Sequence, residues 1–548
     1  MRLHDLGDLT LMRRKRAFVT FTGAHPSLFD ILAAPPPARP FTGNRWARDD
    51  LEEAVLATEG VFAVQGPPGT GKTHLATEVV HRFLLRCPEG RVLVCAKEHF
   101  ALDHIARKIT AALQRSGVPI QGYRSVSAAR LKRDPDSIDR TWLGPEVARR
   151  LAALHWDESA RQWVALGEFQ PENDERLTSL AKEAANLFFC TTLDQAMVEF
   201  LGSTSFDLVI VEEAGKCYPS ELLHAACLGR TVLLIGDQCQ LPPYQEQQTR
   251  DHLLVWQEVL RTAAEDSALH RDLDARFGET YQALRAFTSA QGPLSADRTA
   301  WLRPFEFLFD RLERRYFLDE QFRMEAPLSR TIGSVFYPKP FVHRKHELVE
   351  KGHLPARPLH EVVPERWDVP MLWIDVPHVT CDRDAGEDGD VRRNRRERDV
   401  LLAYLRCLRS GMPHPQIDLV ILTPYRAQKE LLLSSDELRR VCADLSATPF
   451  AQVVRTTDEY QGREAELTVL SLVRNNQAGR WGFMTAPERL NVMFSRTRFR
   501  QVVVGCGAQV ERYQGPDRWL RDLWLAYQQE ARDPACARIV TPTELRHG

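Results

Sequence analysis

Gly66-Pro67-Pro68-Gly69-Thr70-Gly71-Lys72-Thr73 is the stretch on which the reading of this chain turns, because the residues on either side complete what it begins. The apolar run Val61-Phe62-Ala63-Val64 precedes it and reads as a buried strand. Behind it, Leu75, Ala76, Val79, Val80, Phe83 and Leu84 recur at helical spacing and form one apolar face. A glycine-rich turn between a strand and a helix start is a phosphate cradle. Its glycines let the backbone N–H groups turn inward, at the positive end of the helix dipole. Lys72 would bridge the outer phosphates of a nucleotide, and the Thr73 hydroxyl would ligate Mg²⁺.

Such a loop calls for a metal-carrying carboxylate at the end of a neighbouring strand. Phe206-Asp207-Leu208-Val209-Ile210-Val211-Glu212-Glu213-Ala214 supplies a buried run ending in two acids. One of the two acids is expected to hold Mg²⁺ and the other to orient and deprotonate the attacking water. Taken alone, a paired acid at a strand end also reads as a cap for the next helix.

Outward from this centre, continuous apolar runs at 92–94, 187–189, 208–211 and 232–235 suit strands buried on both faces of a parallel sheet. The same texture returns at 372–374, 419–422, 467–470 and 502–504. Two α/β domains in tandem are therefore expected, each a parallel sheet flanked by helices. We place an N-terminal arm at 1–40, ending in Pro35-Pro36-Pro37, a first domain at 41–304, a second at 305–530, and a tail at 531–548. Residues 111–186 and 246–304 are polar, helix-favouring and without a strand pattern, and read as insertions on the first domain. Trp373 and Tyr425 read as core side chains rather than as platforms for bases.

Composition narrows the alternatives. A chain of 548 residues, 43% hydrophobic and 27% charged, is an ordinary globular protein of several cores. No run approaches the roughly eighteen apolar residues a membrane helix needs. The basic N-terminus has no apolar core with a cleavage site, so a cytoplasmic or nuclear location and no membrane partner are expected. The eleven cysteines form no Cys-x-x-Cys pair, which argues against a zinc ribbon. A net charge of −2 means that any grip on nucleic acid is a local groove rather than a global field. No separate acidic metal cluster suggests a nuclease.

Further motifs follow in order. Val92-Leu93-Val94-Cys95-Ala96 precedes Ala101-Leu102-Asp103, and Leu234-Ile235-Gly236-Asp237-Gln238-Cys239-Gln240-Leu241-Pro242-Pro243 leads to Gln321-Phe322-Arg323-Met324. Leu422-Thr423-Pro424-Tyr425-Arg426-Ala427-Gln428, Thr457-Asp458-Glu459-Tyr460-Gln461-Gly462-Arg463-Glu464 and Arg489-Leu490-Asn491-Val492-Met493-Phe494-Ser495-Arg496 complete the series. With the phosphate loop they resemble the superfamily one helicases, specifically the up-frameshift branch that includes senataxin-type proteins, over about residues 44–506.

That resemblance implies two tandem RecA-like domains powered by ATP with Mg²⁺, acting on single-stranded DNA or RNA in the 5′ to 3′ direction. By it, Glu212 holds the metal, Glu213 acts on the attacking water, Gln240 senses the terminal phosphate, Arg323 and Arg496 are arginine fingers, Phe322 stacks on the base and Glu464 faces the ribose. It also places Thr191, Thr423 and Thr456 near the strand. The division is physically sensible. Loop and acids lie in the first half and the cations in the second, so a nucleotide is fully coordinated only when the halves close on it.

Three departures bear on this expectation. Glu212 stands where the family more often has aspartate, Leu51 stands where it has an adenine-reading glutamine, and Lys97-Glu98-His99 replaces a small-polar-asparagine pattern. His99 by itself reads as a structural or solvated histidine. With 65 residues before Gly66, a partner subunit or the 111–186 insertion is expected to supply an accessory grip on the strand. The alternative to a motor is an ATP-gated switch or clamp in a larger complex, which closes on nucleic acid without unwinding.

Overall fold

A computed structural model describes residues 39, 41–118, 120–126, 154–157, 162–165, 182–194, 205–291, 297–350, 369–378, 392–410, 417–476, 479–513, 515 and 517–545. The expected arm at 1–40 and most of the 111–186 insertion lie outside these residues, apart from Arg39 and short pieces of the insertion. Contacts group the chain into two compact units. One holds 1–65, 72–238 and 242–317. The other holds 66–71, 239–241 and 318–548.

The first unit contains a seven-stranded sheet. Its strands are β1 (Gly60–Gln65), β2 (Val92–Ala96), β3 (Gly122–Arg124), β6 (Leu187–Thr191), β7 (Phe206–Glu212), β8 (Gly229–Gly236) and β9 (Arg315–Phe317). A separate antiparallel pair, β4 (Leu154–Asp157) and β5 (Gln162–Ala165), stands apart from it. The sheet order is β3-β6-β2-β7-β8-β1-β9, and every pairing is parallel. Strands covered on both faces read as unbroken apolar runs, and β2 and β6 are buried at every position. Phe188 meets Phe206 edge-on at 5.2 Å in the core on one face.

The second unit contains β12 (Met371–Asp375), β13 (Leu419–Thr423), β14 (Val454–Thr456), β15 (Ala465–Ser471), β16 (Thr497–Gly505) and β17 (Ala537–Val540) in the order β14-β13-β15-β16-β12-β17, again all parallel. A two-stranded pair, β10 (Glu320–Gln321) with β11 (Val342–His343), lies beside it in sequence. Trp373 is fully buried, packed edge-on against Trp524 at 4.7 Å and Tyr527 at 5.3 Å. Its indole N–H donates to the Gly505 carbonyl at 3.1 Å. Tyr425 is likewise buried, its hydroxyl donating to the Trp481 carbonyl at 3.2 Å. Both are core residues, as their type suggests.

The expected α/β architecture holds, with three differences in detail. Residues 111–186 were read as lacking strands, yet β3 forms one edge of the first sheet and β4 and β5 pair between them. Three- and four-residue strands are too short to show a period. Residues 531–548 were read as a tail, yet Ala537–Val540 pairs with β12 from Met371↔Ala537 to Ile374↔Val540. A final edge strand needs its neighbour to be recognised. The first unit also runs past residue 304, because β9 hydrogen-bonds to β1. The 246–304 insertion is helical as expected: helices Glu246–Glu265 and Ser267–Gln291 share a small core of Leu260, Ala263, Leu273 and Tyr281. Among the described residues no helix is long and apolar enough to cross a membrane.

Candidate functional site

Because the strands of each sheet run parallel, their carboxyl ends emerge together, the usual place for a ligand in an open α/β sheet. In the first unit the register aligns Gln65 with Gly236 and sets Ala96 opposite both Thr191 and Glu212. Positions from 65 to 236 thus share one edge.

The strand β1 delivers the phosphate loop, and the helix Lys72–Arg86 begins at its lysine. Gly69 (φ +75°) and Gly71 (φ +84°) take left-handed backbone that a side chain would strain. Thr70 braces the turn by donating its hydroxyl to the Pro67 carbonyl at 2.7 Å. One turn on, the Thr73 hydroxyl donates to Glu212 Oε1 at 2.6 Å, so the two residues expected to share a metal lie side by side. Burial pushes the Glu212 carboxyl up to about 7, offset in part by the Thr73 hydrogen bond and reinforced by the neighbouring charge of Glu213, with Lys72 acting to lower it. A buried carboxylate beside a hydroxyl, held back from ionising by burial, suits a hard cation with oxygen ligands. Mg²⁺ in phosphate sites uses one or two carboxylates and leaves other positions to phosphate and water.

Glu213 directly follows β7 with φ 57° and ψ 35°, a left-handed conformation uncommon for a residue with a side chain. The turn Ala214–Lys216 sustains it, the Lys216 N–H donating to the Glu213 carbonyl at 3.0 Å. Gly215 is needed here: a Cβ on it would come within 3.0 Å of the Asp237 carbonyl.

Within the second unit, the peptide N–H of Phe322 donates to the Gly69 carbonyl at 2.9 Å. A Cβ on Gly69 would meet the Arg323 Cβ at 2.5 Å, so the loop glycine is also a packing requirement. Arg323 is ion-paired with Glu464 and donates to the Ser495 carbonyl at 3.4 Å. The Arg323 guanidinium holds the Glu464 carboxyl below its ordinary range, with Arg498 3.9 Å from the same carboxylate. Arg496 is buried and multiply tethered, donating to the Val492 carbonyl at 2.9 Å, to the Ser495 hydroxyl at 2.9 Å and to Gln240 Oε1 at 3.5 Å. Asn491 of the same motif donates to the Cys239 carbonyl at 2.7 Å. Thr423 and Thr456 are register partners at the carboxyl ends of β13 and β14, Thr423 fully buried and Thr456 half-buried. Thr191 ends β6 and is buried.

The departures from the family pattern acquire physical content. Leu51 is fully buried at the start of the helix Leu51–Leu56, so that position carries a core side chain. Lys97 is committed to Glu221 at 2.6 Å and lies over the Tyr218 ring. His99 Nδ1 is 3.3 Å from Arg124, which pairs with buried Asp103 at 2.7 Å, a structural role.

Sequence reasoning missed two groups of residues. Glu397 is fully buried and takes the Ser471 hydroxyl at 2.6 Å and the Val473 N–H at 2.9 Å. Gln428 joins this network through Ser471 and Asn394, each at 3.1 Å, fixing the segment that follows Thr423. Val473 is held there at φ 72°. The second group is Lys216 with Glu98, paired at 2.8 Å. A charge three residues beyond Glu213 was the available signal.

Two family models described as AAA domains match the chain, one over 44–143 and 154–245, the other over 303–508. Among curated proteins, the chain is 23% identical to the "Regulator of nonsense transcripts 1 homolog" of Neurospora crassa, covering 81% of this chain and 35% of that protein. It is 25% identical to the "DNA-binding protein SMUBP-2" of Mesocricetus auratus, over 92% of this chain and 48% of that one. It is 23% identical to the "DNA polymerase alpha-associated DNA helicase A" of Schizosaccharomyces pombe, over 82% and 61%. The chain therefore spans about a third to three fifths of the length of these relatives.

Proposed function

This chain belongs to the up-frameshift-like branch of the superfamily one helicases, and from that premise we propose that it hydrolyses ATP to move 5′ to 3′ along single-stranded DNA or RNA. One observation carries the hydrolytic reading: Thr73 Oγ1 and Glu212 Oε1 stand 2.6 Å apart behind a complete phosphate loop. Loop N–H groups and Lys72 bind the phosphates. Thr73 and Glu212 are the residues that would hold Mg²⁺, which when bound supplies charge neutralisation at the terminal phosphates. Glu213 orients the attacking water and takes its proton, Gln240 senses the terminal phosphate, and Arg323 and Arg496 meet the charge that develops there. Phe322 and Glu464 serve the base and ribose. Thr191, Thr423 and Thr456 hold the strand backbone.

The reading is tested by ATP turnover with and without single-stranded DNA and RNA, followed by strand displacement on tailed duplexes. Stimulation with displacement supports a motor, and Lys72→Ala must abolish turnover. A clamp is the second reading, favoured by the Arg323–Glu464 ion pair, which engages that cation inside its own unit. Stimulation without displacement is the result that selects it.

A further inference from the structure

We infer that Lys216 is a positioning residue for Glu213, and that Glu98 ties it to the segment that meets the strand, so that occupancy of the strand site is communicated to the hydrolytic carboxylate through one ammonium group. This deepens the function proposed above and rests on it.

The geometry starts from two neighbouring strand ends. Ala96 at the end of β2 is the register partner of Glu212 at the end of β7, so the chain leaving each strand runs beside the other. Residues 97–99 leave β2 and residues 213–216 leave β7. Lys216 reaches across, 2.8 Å from Glu98 Oε1 and 3.7 Å from Glu213 Oε2. Its side chain is nearly buried, so the ammonium is confined between two carboxylates rather than ranging in solvent.

The cation adjacent to Glu98 in sequence is already engaged. Lys97, adjacent to Glu98, is bound through both Glu221 oxygens at 2.6 and 2.7 Å. Glu98 occupies the N-cap position of the helix His99–Arg115, yet its side chain makes no capping hydrogen bond and turns to Lys216 instead. The turn between Glu213 and Lys216 is a single 3-10 turn on strained backbone. Displacing the ammonium therefore acts directly on how the Glu213 carboxylate is held.

Glu98 is half-exposed, two residues beyond Ala96, whose register partner on β6 is Thr191, one of the residues that the resemblance places near the strand. Phosphates arriving there carry the same charge as Glu98 and compete with it for the same cation. Strand binding then redistributes Lys216 between Glu98, phosphate and Glu213, and alters the placement of Glu213 without any rearrangement of the sheet.

The test measures Mg-ATP turnover of the full chain with and without a saturating thymidine or uridine homopolymer. Melting temperature and fluorescent-nucleotide affinity report on folding. Lys216→Gln is expected to lower kcat about ten- to hundredfold, as misplacement of a reacting group does, while KM for ATP stays within about twofold. Lys216→Arg restores most of that loss. Glu98→Gln is expected to reduce the ratio of strand-stimulated to strand-free turnover by about fivefold.

The double exchange Glu98→Lys with Lys216→Glu separates positioning from mere clamping. It re-forms the 98–216 bridge but sets a carboxylate beside Glu213, so stability returns and turnover does not. Full turnover in that double variant, or unchanged kcat and stimulation in Lys216→Gln, overturns the inference while leaving the proposed function standing. A wild-type chain that hydrolyses no ATP overturns both.

Discussion

Glu212→Gln removes a charge that the fold holds under protest, and its effect on stability can be worked from the site. The carboxyl is buried beside Thr73 and its proton affinity is pushed from the ordinary 4.5 up to about 7, burial being the largest cause. At about 1.4 kcal/mol for each pH unit, that difference amounts to about 3 kcal/mol. The sign follows from the direction. A carboxyl that binds its proton more tightly when folded favours the folded state below pH 4.5, and that contribution fades as pH rises through 7. Gln cannot titrate, yet its amide oxygen can still accept the Thr73 hydroxyl. Urea denaturation of both proteins, free of nucleotide and with metal chelated, should show the wild type losing about 3 kcal/mol relative to the variant between pH 5 and pH 8. Reading the difference cancels every titration the two share. Adding Mg²⁺ should shrink the alkaline loss in the wild type alone. Stability curves that run parallel across this range would refute the placement of Glu212 as a buried, cation-seeking carboxylate.

Other consequences follow from particular contacts. Gly69→Ala places a Cβ against Arg323 on left-handed backbone, so fluorescent-nucleotide affinity should fall by more than about tenfold. Glu213→Gln should bind ATP but turn it over at least about a hundredfold more slowly, and normal turnover would remove its assigned role. Arg496→Ala should lower kcat by about 10³ or more, judged from fingers in other nucleotide hydrolases, with a single-turnover measurement isolating the chemical step. Trp373→Ala deletes a buried ring packed on Trp524 and Tyr527 and should destabilise the protein by about 3–5 kcal/mol in chemical denaturation. Strand affinity should weaken steeply between 50 and 200 mM salt, roughly linearly on a double-logarithmic plot, and flat salt dependence would argue against phosphate contacts.

Local sequence determined the strands of both sheets wherever a run was long, continuous and buried, as at 92–94, 208–211 and 502–504, because two-sided burial leaves an unbroken apolar signature. It also determined the phosphate loop and the paired acids, since that chemistry depends on residue type at fixed spacing along one segment. The short edge strands at 122–124, 315–317 and 537–540 needed a neighbour to define them, and only the folded sheet supplied one. Contacts across long sequence separation were equally invisible. Arg323 is paired with Glu464, and Lys216 bridges Glu98 and Glu213, although nothing in either segment names its partner. Composition specifies what a side chain is able to do. Parallel strands that end on one edge decide which distant side chains do it together.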